Sequence, residues 1–156
     1  MAKRSKYAVS FYFELSFKGE DSAFQEVSGI SKELVVEEVI GGGENRFKYR
    51  LPKISTHQNL VLKRALVPDG TELIDWCANT IDTGMVDSIE THDVSLSLLN
   101  TSGDVSVMWT FFKAYPVKYV VSDLKSTENS IVIETIELAY TYFEISPKLD
   151  IADLFF

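Results

Sequence analysis

The chain is poor in the residues that small proteins use for cross-links and catalysis. Its 156 residues include one cysteine, Cys77, and two histidines, His57 and His92. A single cysteine excludes an intramolecular disulfide. Apolar runs stay far below the roughly 20 residues that a membrane-spanning helix needs, so we expect no membrane anchoring. Basic residues are also scarce, because 15 Lys and Arg stand against 23 Asp and Glu. The resulting net charge of −8 disfavours a protein that grips nucleic acid through its phosphates.

The residues that are present form none of the common catalytic or cofactor-binding patterns. Cys77 falls on the apolar stripe of a predicted helix, which indicates a buried structural thiol. His57 lies in an apparent loop and His92 begins a strand, so the two lack the spacing of metal ligands. The glycines at 41–43 match neither a dinucleotide nor a phosphate loop. We therefore predict a protein that is not an enzyme and needs neither metal nor cofactor.

Alternating apolar residues predict a mainly β fold. In residues 7–17 every odd position is apolar or aromatic, which is the period of a strand with one buried face. Further strands are predicted over 31–40, 46–51, 59–66, 92–99, 105–114, 117–121 and 131–145. The strands 92–99 and 105–114 flank a turn and are predicted to form a hairpin. Pro52 is expected to end the strand 46–51, and Pro116 to separate the segment 117–121 from the strand before it. The apolar positions change phase within 131–145, which predicts a bulge or a strand that is covered on both faces.

One helix is predicted near the middle of the chain. Asp69 is the expected N-cap, with Glu72 three residues later as in a capping box. Gly84 is the expected stop. The apolar residues of the intervening segment form one stripe: Leu73, Ile74, Trp76, Cys77 and Ile81. The sequence thus predicts one domain over 1–156, a small antiparallel β-barrel or two packed sheets with one flanking α-helix.

The predicted strands carry more apolar surface than one buried face requires. Residues 131–133 are apolar on both faces, and the even face of the first strand carries Ala8 and Tyr12. Either a barrel closes within one chain, with the helix covering one side, or neighbouring copies complete the edges and second faces. From the residues alone both alternatives stay open.

Several motifs, read in order, resemble the tail tube family of contractile phage tails and phage-tail-like extracellular contractile injection systems. They cover most of residues 7–143: FQEVSGI at 24–30, EVIGGGENRFKYRLP at 38–52, NLVLKRAL at 59–66, LIDW at 73–76, WTFFKAYPVKY at 109–119 and ENSIVIETIELAYTYF at 128–143. The sequence departs from the family pattern at Ala65, where glycine is usual. The tail after Pro147 matches no family motif.

The resemblance implies an inner tube subunit that assembles with copies of itself. Six copies would form a ring, and rings would stack into a hollow tube that a contracting sheath drives through a target envelope. The implied partners are the sheath, baseplate and tail-terminator proteins, with DNA or effectors as non-specific luminal cargo. The predicted ring-stacking residues are Gly41, Gly42, Gly43, Glu44, Asn45, Arg46, Phe47 and Pro52. Trp76 is predicted for outer docking, and Leu154, Phe155 and Phe156 for docking through a C-terminal tail, 147–156.

Other predictions concern location and the alternatives. The basic arm 1–6 is followed by an alternating segment and not by the apolar stretch of a signal peptide. We therefore expect synthesis and assembly in a cytoplasm, with a final place in a phage tail or an extracellular particle. A type VI secretion-like hexamer that also acts as an effector chaperone remains an alternative. A monomeric β-barrel carrier of an apolar ligand is another, favoured by the aromatic content.

Overall fold

The computed structural model describes residues 12–43, 46–66, 68, 70–84, 86–127 and 129–147, which form ten strands and one helix. The strands are β1 Tyr12–Phe17, β2 Glu20–Phe24, β3 Glu26–Ser28, β4 Glu33–Val39, β5 Tyr49–Thr56, β6 Leu60–Ala65, β7 His92–Leu99, β8 Val105–Val121, β9 Ile133–Ala139 and β10 Tyr142–Pro147. The helix α1 spans Glu72–Thr83. The predicted mainly β class with one helix is confirmed.

Two antiparallel sheets share the long strand β8. The first sheet has the order β2-β1-β7-β8-β10, and the second continues as β8-β9-β6-β3. The first part of β8 pairs with β7 and β10, whereas residues 115–121 pair with β9. Between these parts Lys113 adopts a φ of 52°, and its backbone N–H donates to the Asp93 carboxylate at 3.0 Å. This irregularity bends β8 so that one strand serves both layers.

A second corner joins the opposite edges of the two sheets. β2 pairs with β1 in the first layer and β3 pairs with β6 in the second, with only Gln25 between them. The N–H of Gln25 donates to the carbonyl oxygen of Lys63 at 2.9 Å. The described strands β2 and β3 form no ladder with each other, so they close no hydrogen-bonded barrel. The structure is the two-packed-sheets form of the predicted fold.

The core lies between the sheets and under α1. The inward positions of β1 and β7 follow the predicted alternation, and Leu15, Phe17, Val94 and Leu96 are buried. The other members of this core are Phe24, Leu60, Leu62, Leu73, Trp76, Cys77, Phe111, Ala114, Ile136, Leu138, Tyr140 and Phe143. The burial predicted for Cys77 is confirmed.

The observed N-cap lies two residues after the predicted one, and the helix begins at Glu72. Thr71 is the N-cap, because its backbone is extended and its side-chain oxygen accepts the N–H of Ile74 at 3.3 Å. Asp69 lies outside the described residues. The predicted stop is confirmed, since the N–H of Gly84 donates to the carbonyl oxygen of Thr80. Ile81, predicted on the buried stripe, is exposed.

Both prolines lie inside strands, contrary to prediction. Pro52 pairs with Val36 beside a register shift in the β4–β5 ladder, and Pro116 pairs with Leu138 beside another. A proline is tolerated in a sheet where the ladder is irregular, because its missing N–H then costs no regular hydrogen bond. β5 therefore runs on to Thr56.

The phase change in 131–145 has a cause different from the predicted bulge. Residues 134, 136, 138 and 140 all face inward, and the first of them is Glu134. A buried carboxylate in the inward row interrupts the apolar pattern without any slip of the strand. The segment then divides at 140–141 into β9 and β10, which belong to different sheets. The short polar strands β2 and β3 were not predicted at all.

Candidate assembly surfaces

The hairpin β4–β5 forms a sheet of its own, separate from the two sheets of the body. Every residue of both strands is exposed. Its large apolar side chains have exposed fractions from 37% to 84%: Leu34, Val35, Val36, Val39, Tyr49, Leu51 and Ile54. Nearby Ile40 and Phe47 are exposed as well. An isolated two-stranded hairpin is marginally stable in water, so this element lacks the support that the body strands give each other.

Both faces of the hairpin carry apolar side chains. Directly opposed residues share a face, and the pairs Val39–Tyr49 and Val36–Pro52 lie on opposite faces. Exposed ion pairs flank them, with Lys48 Nζ 3.6 Å from Glu38 and Lys53 Nζ 3.5 Å from Glu37. Exposed pairs of this kind contribute little to stability. Neither face is therefore the water-facing side of an ordinary sheet.

The predicted ring-stacking residues lie at the tip of this hairpin and along β5. The Phe47 and Tyr49 rings meet edge to face at 5.3 Å. Gly41 provides space for the Tyr49 ring, because an added Cβ there would lie 2.9 Å from Tyr49 Cε2. Gly42 faces open space, and Gly43 has a φ of 82° that favours glycine. Glu44 and Asn45 lie outside the described residues. Arg46 and Pro52 are exposed.

The net negative charge is concentrated on one part of the chain. Residues 65–112 contain eight Asp and Glu and no Lys or Arg, which leaves 15 acidic and 15 basic residues in the rest. The helix α1 and the segment 86–93 belong to this part. They border an open groove of about 360 Å³, whose acidic lining residues are Glu72, Asp75, Asp87 and Glu90. Lys18 from the β1–β2 turn also lines the groove.

Trp76 is largely buried, although it also contributes to the lining of this groove. Its side chain is 6% exposed and stacks on Phe17 at 4.7 Å between ring centroids. The indole N–H donates to the carbonyl oxygen of Glu90 at 2.9 Å. Trp76 therefore positions the 86–90 segment, and its outer docking role stays a prediction. Leu154, Phe155 and Phe156 lie outside the described residues, so their docking role stays a prediction.

A buried ion pair lies in the second sheet, with the hydroxyl of the partly exposed Tyr119 bonded to it. Arg64 and Glu134 face each other across β6 and β9, and the guanidinium Nε donates to the Glu134 carboxylate. The Tyr119 hydroxyl donates to the second carboxylate oxygen at 2.8 Å. Burial, together with this hydrogen bond, raises the pKa of Tyr119 to about 12. Burial next to the same carboxylate raises the pKa of the Cys77 thiol to about 12.

The pairing of Arg64 with Glu134 was not predicted from the sequence, although the strand pattern around Arg64 indicates it. Arg64 shares the alternating face of Leu60 and Leu62, which marks it as an inward position. A charged residue in an inward row requires an opposite charge in a facing row. Glu134, in the inward row of β9, meets that requirement. Ala65, where the resemblance leads one to expect glycine, pairs regularly with Ile133.

The described part of the chain contains neither clustered metal ligands nor a membrane-spanning helix. Among the described residues, no three His, Cys, Asp or Glu side chains come together as a group able to hold a metal ion. The described helix is too short and too polar to cross a bilayer.

The subunit is a two-layer β body with a separate, exposed apolar hairpin. The chain belongs to the family of the T4-like virus tail tube protein gp19, whose family model matches residues 9–144. It is accordingly a structural tube protein and not an enzyme. No curated protein sequence matches the chain.

Solved structures of contractile injection systems contain chains with the same fold. A chain of the anti-feeding prophage (AFP) baseplate, 6-fold symmetrised, is 28% identical, with a TM-score of 0.74 over 96% of this chain and 100% of that one. A chain of the extended PVC sheath-tube complex is 24% identical, with a TM-score of 0.78 over 92% and 94%. Hcp1 from Flavobacterium johnsoniae is 19% identical, with a TM-score of 0.58 over 88% and 96%.

Proposed function

We propose that the chain forms hexameric rings that stack into the hollow inner tube of a contractile tail or injection system. Contraction of a surrounding sheath drives this tube through a target envelope, and the lumen conducts DNA or effector cargo. The observation that carries the proposal is the fully exposed apolar hairpin β4–β5 in a member of the tail tube family.

The hairpin fits a contact between rings because its exposed surface needs a cover. Contiguous apolar patches on a soluble protein mark interaction sites, and unpaired strand edges invite pairing with another chain. We take the cover to be a second copy of the chain, because a tube of identical subunits offers one such copy for every hairpin. Such a head-to-tail contact repeats along an axis without closing, which is the symmetry that a tube requires. Residues 41–52 at the tip make the contact in this proposal, together with the adjoining exposed side chain of Ile54 in β5.

Lateral contacts within a ring use the open edges of the two sheets. β10 pairs with β8 on one side, and its Tyr142 and Ile145 are 49% and 55% exposed. Residues 115–121 of β8 pair with β9 on one side and expose Val117 and Val120. Joining such edges between copies satisfies backbone donors and acceptors that water otherwise covers. The 6-fold symmetry of the AFP baseplate supports a ring of six.

The partners follow from the assemblies in which the similar chains occur. These include a sheath-tube complex, a sheath/tube terminator, a tube terminating cap and a baseplate. We place the sheath against the acidic face of α1 and 86–93, which complements a basic partner surface. Assembly takes place in the cytoplasm in this proposal, before the particle reaches its final site. The type VI-like alternative is less favoured, because the TM-score with a type six secretion system protein is 0.58 against 0.78 with the PVC chain.

The test is a charge substitution on the hairpin with a matched control elsewhere. Ile54→Glu places a charge on the most exposed apolar residue of the hairpin, at 84%, and Leu124→Glu changes a residue that is 73% exposed outside it. Sedimentation separates monomers from rings, and negative-stain electron microscopy measures tubes, with purified baseplate proteins added as nuclei. Circular dichroism confirms that both variants fold.

The wild type and Leu124→Glu are expected to form rings and tubes, whereas Ile54→Glu is expected to stop at rings. Tubes of normal length from Ile54→Glu contradict the assigned role of the hairpin. A wild-type protein that stays monomeric even with baseplate proteins contradicts the tube itself and returns attention to the carrier alternative.

A further inference from the structure

We propose that His57 and Lys32 are positioning residues that fix the direction of the β4–β5 hairpin by gripping the corner between β9 and β10. The inference rests on the proposed role of the hairpin in ring stacking. Lys32 immediately precedes β4 and His57 immediately follows β5, so one residue lies at the base of each strand of the hairpin. Both reach the same short segment of the body, residues 140–143.

The grip of His57 combines a stacked ring with a hydrogen bond. Its imidazole lies flat on the Tyr140 ring, with 4.1 Å between centroids and 10° between planes. Nε2 lies 3.1 Å from the carbonyl oxygen of Thr141, and a proton on Nε2 makes this a hydrogen bond. Nδ1 lies 3.2 Å from the carbonyl oxygen of Gln58. Stacking and hydrogen bonding together fix both the position and the rotation of the ring.

Lys32 grips the neighbouring aromatic residue. Its ammonium group lies 4.3 Å from the centroid of the Phe143 ring, within the range of a cation–π interaction. Tyr140 and Phe143 are 6% and 4% exposed and both pack on the fully buried Phe111. The bases of both strands therefore rest on side chains that belong to the core and cannot move independently of it.

Two further contacts join the segment before β4 to the segment after β5. The Ser31 hydroxyl accepts the backbone N–H of Gln58 at 3.1 Å. Gly29 approaches Asn59 so closely that an added Cβ would lie 1.9 Å from the Asn59 carbonyl oxygen. The base of the hairpin is thus held by the two aromatic rings, by the Ser31–Gln58 hydrogen bond and by the close approach of Gly29 to Asn59. We call this set of contacts the clamp. The strands beyond it are exposed throughout.

The position of this clamp gives it leverage over the tip. β5 has eight residues and is about 25 Å long at about 3.3 Å per residue, so a rotation of about 10° at the base moves the tip by about 4 Å. A displacement of that size removes the side-chain contacts that a stacked ring requires. His57 and Lys32 thus determine whether the tip meets its neighbour in register, although neither needs to touch that neighbour.

The test compares disruptive with conservative variants of the full chain. His57→Ala and Lys32→Met remove the two grips, whereas His57→Phe keeps the stack without the Thr141 hydrogen bond and Lys32→Arg keeps the cation. His92→Ala is the control for general destabilisation. The His92 ring packs on Phe17 and Trp76, which are not among the residues that hold the hairpin base. Amide hydrogen exchange of peptides 29–33 and 56–60 is measured on the monomer, and tube length and ring formation on the assembled protein.

We expect His57→Ala and Lys32→Met to accelerate exchange at the base by about 5- to 30-fold and to shorten tubes at least about fivefold while rings persist. His57→Phe is expected between these and the wild type, and Lys32→Arg close to the wild type. His92→Ala is expected to keep wild-type exchange at the base. Unchanged exchange in both disruptive variants overturns the clamp, whether or not tubes form. Faster exchange with tubes of normal length overturns the positioning role, whereas a wild type that forms no tubes speaks against the proposed function alone.

Discussion

The buried pair of Arg64 and Glu134 offers the sharpest test of how the body is stabilised. Arg64 is 6% exposed and Glu134 1%, and they face each other in the β6–β9 ladder. Glu134 also accepts the Tyr119 hydroxyl at 2.8 Å, and the Arg64 guanidinium lies 4.9 Å from the Phe24 ring centroid. Arg64→Met leaves the carboxylate buried with one hydrogen-bond donor and no opposite charge.

The expected loss is large because a buried charge without its partner cannot be solvated. Removing one member of a buried ion pair costs about 3–5 kcal/mol, out of a total stability of about 5–15 kcal/mol for a domain of this kind. Arg64→Met alone is thus expected to lower the free energy of unfolding by about 3–5 kcal/mol, a large share of that total. The double variant Arg64→Met with Glu134→Leu removes both charges and fills the space with apolar groups. Such replacements are often neutral or stabilising, so the double variant is expected within about 1 kcal/mol of the wild type.

The assay is urea unfolding at pH 7, followed by circular dichroism, for the wild type, both single variants and the double variant. Lys63→Met is the control, because Lys63 is the neighbouring residue and its ion pair with Glu26 is long, at 4.0 Å, and exposed. That variant is expected to change stability by less than about 1 kcal/mol. A double variant that loses the sum of the two single losses would refute the reasoning, and so would an Arg64→Met protein as stable as Lys63→Met.

Three further predictions concern single groups in the body. Folding raises the pKa of Cys77 from 9.0 to about 12, so the native thiol should resist a disulfide reagent at pH 8 and react fully in urea. The stability that the neutral thiol contributes is complete below pH 9 and should be lost as the pH rises through 12. The buried Tyr140 hydroxyl has no hydrogen-bond partner among the described residues, so Tyr140→Phe should leave urea stability unchanged or raise it by up to about 1 kcal/mol, and a loss above about 2 kcal/mol would reveal a partner. Gly29→Ala drives a Cβ into the Asn59 carbonyl at a φ of 89° and should cost at least about 2 kcal/mol, whereas Gly42→Ala, with open space around it, should cost little; equal melting temperatures would contradict the close approach.

Alternation predicts strands well where one face of a strand meets the core and the other meets water. β7 has its predicted limits, and Leu15, Phe17 and Leu96 face inward as expected. The prediction fails where tertiary structure allows what local rules forbid. Pro116 lies inside β8 because the ladder is irregular at that point, and Glu134 lies inward because Arg64 compensates its charge. Neither the irregular register nor the facing charge is a local property of the sequence.

The assembly surface shows a different limit of prediction from sequence. The Gly-rich loop and its hairpin could be predicted by resemblance, but their exposure could not. A strand such as β4, with Leu34, Val35 and Val36 in succession, has the composition of a strand buried on both faces. Sequence composition reports that a face will be covered and says nothing about which chain covers it. The structure of the subunit shows that its own chain does not cover β4, because every residue of this strand is exposed.

The two parts of the subunit thus obtain their stability in different ways, and this has a consequence for assembly. The body buries its own core between two sheets. The hairpin has a marginal fold by itself and gains its apolar contacts only from another copy in the proposed tube. The first ring must then order its hairpins before any of their surface is buried, whereas each later ring adds to a surface that is already in place. Growth from an existing end is therefore favoured over spontaneous initiation, which restricts tubes to sites where a nucleus has already formed.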